Sequence, residues 1–142
     1  MSNAASARSP RSVEVRVAAQ LENLAVVRTV IGALATFEDL DLDAVADLRL
    51  AVDEACTRLI KATTPDCQLV VVVDPRLGEL VVDVVTTSEL DADEVLAHGS
   101  FSWHVLTSLT DDVHVFNDGI EFEGAGPVVG ISLTSRRTSS AR

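Results

Sequence analysis

Two spacings of apolar side chains run through the chain, and the change from one to the other marks its elements. Val13, Val15 and Val17 alternate with Glu14 and Arg16, the period of a half-buried strand. From about residue 21 to 36 the period lengthens. Leu24, Val27, Ile31 and Leu34 recur at intervals of three and four, which is one face of a helix. Thr36-Phe37-Glu38-Asp39 breaks that pattern. Val45, Leu48, Val52, Ala55 and Leu59 restore it and predict a second helix over about 42–62. Asp39, Asp41 and Asp43 lie at its start, where carboxylates cap backbone N–H groups and suit the helix dipole. Thr63-Thr64-Pro65-Asp66 ends it.

Beyond residue 67 the strand period returns. Gln68–Val73 and Glu79–Val85 are rich in Val, and Asp74-Pro75-Arg76-Leu77-Gly78 reads as the turn of a hairpin. Residues 86–99 read as a long acidic loop. A short helix follows over about 100–110, carrying Trp103, Leu106 and Leu109. Asp112–Phe116 and Val128–Leu133 predict a last hairpin. Its connection holds Asn117-Asp118-Gly119 and Gly124-Ala125-Gly126. The order is β-α-α-β-β-α-β-β. Strands that come as hairpins make a mixed, mostly antiparallel sheet, and the helices must cover one of its faces. The expected fold is a two-layer α/β sandwich of the α+β kind. Residues 13–135 form the expected single domain. Residues 1–12 are expected to be a disordered or tag-derived tail, and 136–142 a second tail.

Composition narrows the picture. Of 142 residues 47% are hydrophobic and only 4% aromatic, so the core must be aliphatic. No apolar run approaches the ~18–20 residues of a membrane span, and no apolar signal region opens the chain. A cytoplasmic location without membrane contact is expected. Residues 13–135 hold 6 basic and 22 acidic side chains, a net −16. Such a surface repels phosphate backbones and attracts a basic protein partner, so direct nucleic-acid binding is not expected. Cys56 falls on an apolar helix face and reads as a small core residue. A redox pairing with Cys67 is the alternative.

Candidate chemistry is sparse. His98, His104 and His114 lack the spacing and companions of a metal site. Gly124-Ala125-Gly126 precedes a strand, so it is not a dinucleotide fingerprint. Glu54 and Arg58 stand four apart on one helix face and suit an ion pair worth about 0.3–0.5 kcal/mol if exposed. A functional role for either stands beside that structural one. Glu89, Asp91, Asp93 and Glu94 read as a solvated charge run.

One stretch carries a family resemblance. Asp47-Leu48-Arg49-Leu50-Ala51-Val52-Asp53-Glu54-Ala55-Cys56-Thr57-Arg58 resembles the central helix of RsbW/SpoIIAB-type anti-sigma factors, which have the Bergerat (GHKL) ATP-binding fold. Leu109-Thr110-Asp111-Asp112-Val113 is similar to the family's L-x-D-x-V segment. Phe101-Ser102-Trp103-His104-Val105-Leu106-Thr107 resembles the actinobacterial anti-sigma-F branch. The resemblance spans about 13–135. It implies a homodimer that binds an alternative sigma factor and is relieved by an anti-anti-sigma factor. It also implies ATP and Mg²⁺ as cofactors of a serine kinase acting on that anti-anti-sigma factor.

Residue by residue, the implied nucleotide site is altered. Glu54 holds the position of the general base. The Mg²⁺-holding Asn is Arg58, which has donors only and cannot ligate a metal. The adenine-reading Asp is Thr86. The phosphate-loop glycines are Ser100 and Ser102, with Gly99 one residue earlier. A serine forced to positive φ would be strained by about 1–2 kcal/mol. Kinase activity is therefore expected to be weak or absent, and sigma binding is the leading expectation. The expected partner surface is the first helix, with Leu21, Glu22, Ala25 and Arg28, and the acidic stretch with Glu38, Asp39 and Asp41.

Overall fold

A computed structural model describes residues 8–117 and 127–137. Strand β1 (Val13–Ala18) leads through a 3₁₀ turn (Leu21–Asn23) into helices α1 (Leu24–Phe37) and α2 (Leu42–Ala62). Strands β2 (Gln68–Arg76) and β3 (Glu79–Thr87), helices α3 (Ala92–Val95) and α4 (Phe101–Leu109), and strands β4 (Asp112–Asn117) and β5 (Val128–Arg136) complete the described chain. One sheet runs β1-β2-β3-β5-β4, with every neighbouring pair antiparallel. The two-layer α+β expectation holds, and the sheet is antiparallel throughout rather than mixed.

Helix α1 is rich in Val and Thr and contains Gly32, a composition with weak intrinsic helix propensity. Burial holds it instead. Val27, Ile31 and Ala35 are buried on the face predicted from their spacing. Helix α2 buries Val45, Leu48, Ala51, Val52, Ala55, Cys56 and Leu59, and packs on α1, β2, β3 and β5. Below them Leu69, Val71, Val73, Leu80, Val82, Val84, Ile131 and Leu133 complete an aliphatic core. Register explains why these strand residues share a face, since Val71 pairs with Val84 and Val84 with Ile131. Cys56 is fully buried, and burial beside Asp53 pushes its thiol up to about 12. Trp103 is partly buried and packs against the core.

Gly130 lies on the other face of the sheet. A Cβ there would fall 2.3 Å from the Phe116 ring on β4, so this position accepts only glycine without rearrangement. The close approach lets an aromatic ring cover a bare stretch of β5.

Three segments depart from the sequence reading. The 74–78 turn shrinks to Leu77-Gly78, because Asp74, Pro75 and Arg76 continue β2 and pair with β3. Pro75 can sit there because the β1 pairing ends at Val73, leaving β2 one free side. The acidic loop of 86–99 is shorter as well: β3 runs to Thr87, and α3 occupies 92–95. The ends also pack. Ser9 N–H donates to Asp74 Oδ1 at 2.8 Å, Arg11 pairs with Glu38, and Arg136 and Arg137 lie against the domain. The Gly124-Ala125-Gly126 segment falls outside the described residues.

Candidate functional site

The nucleotide-site positions come from α2, β3 and the start of α4. Glu54 lies on α2, half-buried, and its Oε2 accepts the Ser102 hydroxyl at 2.5 Å. Ser102 is buried in the first turn of α4. Arg58 does not pair with Glu54. Its Nε and Nη2 both donate to the Val95 carbonyl, at 3.4 Å, at the end of α3. The predicted Glu54–Arg58 ion pair is therefore replaced by two separate ties from α2, one to α4 and one to α3. Partners 37 and 48 residues away in sequence outcompeted the local one.

Thr86 is fully buried on β3. Its hydroxyl donates to the Gln68 carbonyl at 2.9 Å and lies 2.9 Å from Thr63 Oγ1. Thr63 Oγ1 also donates to the Thr87 carbonyl at 2.9 Å, and Ser88 Oγ donates to the Ala62 carbonyl at 2.7 Å. The hydroxyls of this corner thus close the end of α2 onto β3. The Thr86 hydroxyl proton is committed to the Gln68 carbonyl, and the side chain is fully buried.

The turn into α4 is unstrained. Gly99 takes positive φ (+86°), while Ser100 is extended at φ −73° and caps the helix by accepting from Trp103 N–H at 3.2 Å. Among described residues only Asp39 and Asp66 have positive φ without being glycine. The expected strain at Ser100 and Ser102 is absent, because the chain shifted its left-handed residue to Gly99. The acidic run is also less free than its charges suggested. Asp91 caps α3, and its N–H donates to Glu94 Oε1 at 2.8 Å, so Glu94 folds back on the backbone.

Taken together these side chains do not fit Mg-ATP. Glu54 is held by Ser102, the metal-ligand position is a cation fixed on a carbonyl, and the adenine-reading position is buried and bonded internally. No group of three or more His, Cys, Asp or Glu among the described residues is placed to hold a metal ion.

The expected partner surface divides in two. Glu38 is not on a rim. Its carboxylate is buried and accepts from both Arg11 and Arg137, the latter at 3.1 Å, while its carbonyl accepts Arg137 Nε at 3.0 Å. Asp39, at φ +67°, ends α1. Its N–H donates to Thr36 O and that of Leu40 to Ala35 O, the paired bonds of a Schellman turn with Asp in the usual glycine place. Asp41 caps α2 through Ala44 N–H at 2.8 Å. All three therefore have structural work at the α1–α2 corner, which nothing in their spacing showed beyond the capping signal. Glu22 is exposed, as are Leu21 and Ala25. Arg28 forks onto Asp53 of α2, with Nη2 3.0 Å from Oδ2.

Sequence reasoning passed over two features. Val26 and Leu50 are about half exposed on α1 and α2, and Leu50 lines a 290 Å³ groove with Arg28, Ala46, Arg49 and Asp53. A 560 Å³ cleft lined by Arg11, Glu38, Arg76, Leu77 and Arg137 involves none of the nucleotide-site positions. The exposure of Val26 and Leu50 off the apolar stripe was the available signal for the first. The second has none, because its residues are brought together only by folding.

Comparison with known proteins agrees with this architecture. Residues 17–121 match the model of the histidine kinase-like ATPase domain. The chain is 59% identical over 135 residues to the anti-sigma-F factor RsbW of Mycobacterium tuberculosis, in strains CDC 1551 / Oshkosh and ATCC 25618 / H37Rv alike. Each alignment covers 95% of this chain and 79% of the relative. This chain belongs to the histidine kinase-like ATPase domain family, in the group that holds the RsbW proteins.

Proposed function

We propose that this chain is an anti-sigma factor, binding and inhibiting an alternative, sigma-F-like RNA polymerase sigma factor until an anti-anti-sigma factor releases it. The 59% identity to a protein named anti-sigma-F factor, over 95% of the chain, carries this reading. The net −16 of residues 13–135 supports a basic protein partner and opposes direct nucleic-acid binding. No helix among the described residues is long and apolar enough to cross a membrane, in keeping with a cytoplasmic task. Exposed Glu22, the Arg28–Asp53 pair and half-exposed Val26 and Leu50 form the partner face in this reading. The kinase reading is not favoured, because Glu54 is the only nucleotide-site position that keeps its family residue and it is bonded to Ser102.

Co-expression with alternative sigma factors of its own cell tests the proposal. A complex should co-purify, and its affinity should fall as salt rises, since attraction across a polar rim is screened. Failure to bind any of them sinks the reading. A homodimer is part of the same proposal: β1 lies at a sheet edge, where its outer backbone groups are open to a second chain. A 15.1 kDa monomer in sedimentation at tens of micromolar would contradict that part.

A further inference from the structure

Members of this family are named for ATP, yet the side chains here disagree with that ligand in a coordinated way. Most of the polar side chains at the nucleotide-site positions have an internal partner; Thr87 Oγ1, buried beside Thr86, has none. Glu54 takes the Ser102 hydroxyl at 2.5 Å, and Arg58 spans to the Val95 carbonyl. Thr86 donates to the Gln68 carbonyl and Thr63 to the Thr87 carbonyl. Ser88 is fully buried on the Ala62 carbonyl, and Ser100 turns back onto its own helix. These bonds join α2 to β3, α3 and α4. They hold the segments between which a nucleotide would have to insert, so insertion would have to break them.

Charge points the same way. Glu89, Asp91, Asp93 and Glu94 lie between β3 and α4, and Glu54 lies on α2 against α4. Arg58 is the cation joined to this group, and its fork is directed at a carbonyl. A triphosphate would meet more like charge than opposite charge.

We infer that Glu54 and Ser102 form a structural clip between α2 and α4, and that this clip with its neighbours closes the fold to Mg-ATP, so that partner binding by this chain does not depend on nucleotide. The last clause rests on the proposed sigma-binding function, and the first two stand without it.

Two measurements on the full chain test the closed site. Trp103 adjoins Ser102 in sequence and its ring centroid lies 4.0 Å from that of His98, so its fluorescence reports on the start of α4. Titration with Mg-ATP, followed by this fluorescence and by calorimetry, should show no saturation up to about 1 mM, a very weak Kd. Saturable binding below that concentration overturns the closed site. The second measurement is a double-mutant cycle in denaturant without nucleotide, using Glu54→Gln and Ser102→Ala, which keep most of the packing. Each should raise the unfolding constant about tenfold, and the double variant should fall well short of the product. Strictly multiplicative effects overturn the clip.

The partner arm separates the two proposals. A co-purified sigma factor should bind with the same Kd in Mg-ATP and in its absence, and a Kd that changes several-fold overturns nucleotide independence. If no sigma factor binds, the proposed function fails, while the titration and the cycle still decide the clip.

Discussion

Glu38 and Asp83 are both largely withdrawn from water, and their surroundings are opposite. Glu38 sits at the corner between α1 and α2, its side chain 6% exposed, with two guanidinium groups on one oxygen. Asp83 sits in the middle of β3 on the sheet face away from the helices. Its Oδ1 is buried without a partner. Burial raises its pKa, and neighbouring Asp74 adds to that. The Ser132 hydroxyl and the more distant Arg8 and Arg76 only partly oppose it. A buried charge is tolerable when cations and hydrogen bonds replace its water and costly when they do not. The first site is a staple holding distant parts of the chain, and the second is a weak point in the sheet.

The largest break in that comparison comes at Glu38. Glu38→Ala removes the acceptor shared by Arg11 and Arg137, and should cost about 3–5 kcal/mol in denaturant unfolding. A loss under about 1 kcal/mol would show that the corner is held without it. Arg137→Ala comes next, at about 1.5–3 kcal/mol, because Arg137 donates to Glu38 twice and to the Arg76 carbonyl once. Arg11→Ala should cost less than Arg137→Ala, since Arg11 is 60% exposed and solvent screens its pairing. Equal effects of the two arginine changes would refute this ranking.

At the same corner Asp41→Ala should cost about 1 kcal/mol through loss of the α2 cap, read as a lower Tm with unchanged helix content at low temperature. Asp83→Asn is the smallest change and opposite in sign. The folded state favours the neutral Asp83 carboxyl. Its favourable contribution is therefore present below the ordinary value of 3.8 and lost as pH rises through the raised folded value. The Asn variant should melt higher than the parent at pH 7, and the gap should close as pH falls toward 4. A gap independent of pH would remove Asp83 as the cause.

The helices and strands were legible because their signals are local. Val27 and Ile31, or Val45, Leu48 and Val52, face the core at the spacing their positions dictate. The capping role of the acids before α2 was legible too, and Asp41 performs it. The neighbouring acids were read as a partner surface because charge at a helix junction looks the same in sequence whether it meets solvent or a cation. The nucleotide positions were half legible. Arg58 and Thr86 showed that the usual residues were missing, but the predicted Glu54–Arg58 pair did not form.

By itself the sequence determined the five strands and three longer helices in their order, the aliphatic core, the acidic surface and the family. Each of these depends on residue type or on spacing within a few turns. Tertiary structure alone decided which polar groups meet. Glu38 finds Arg137 from 99 residues away, and Glu54 finds Ser102 across 48. Such pairs depend on how the helices lie on the sheet, because a hydrogen bond is made or lost within an ångström and no local period carries that information.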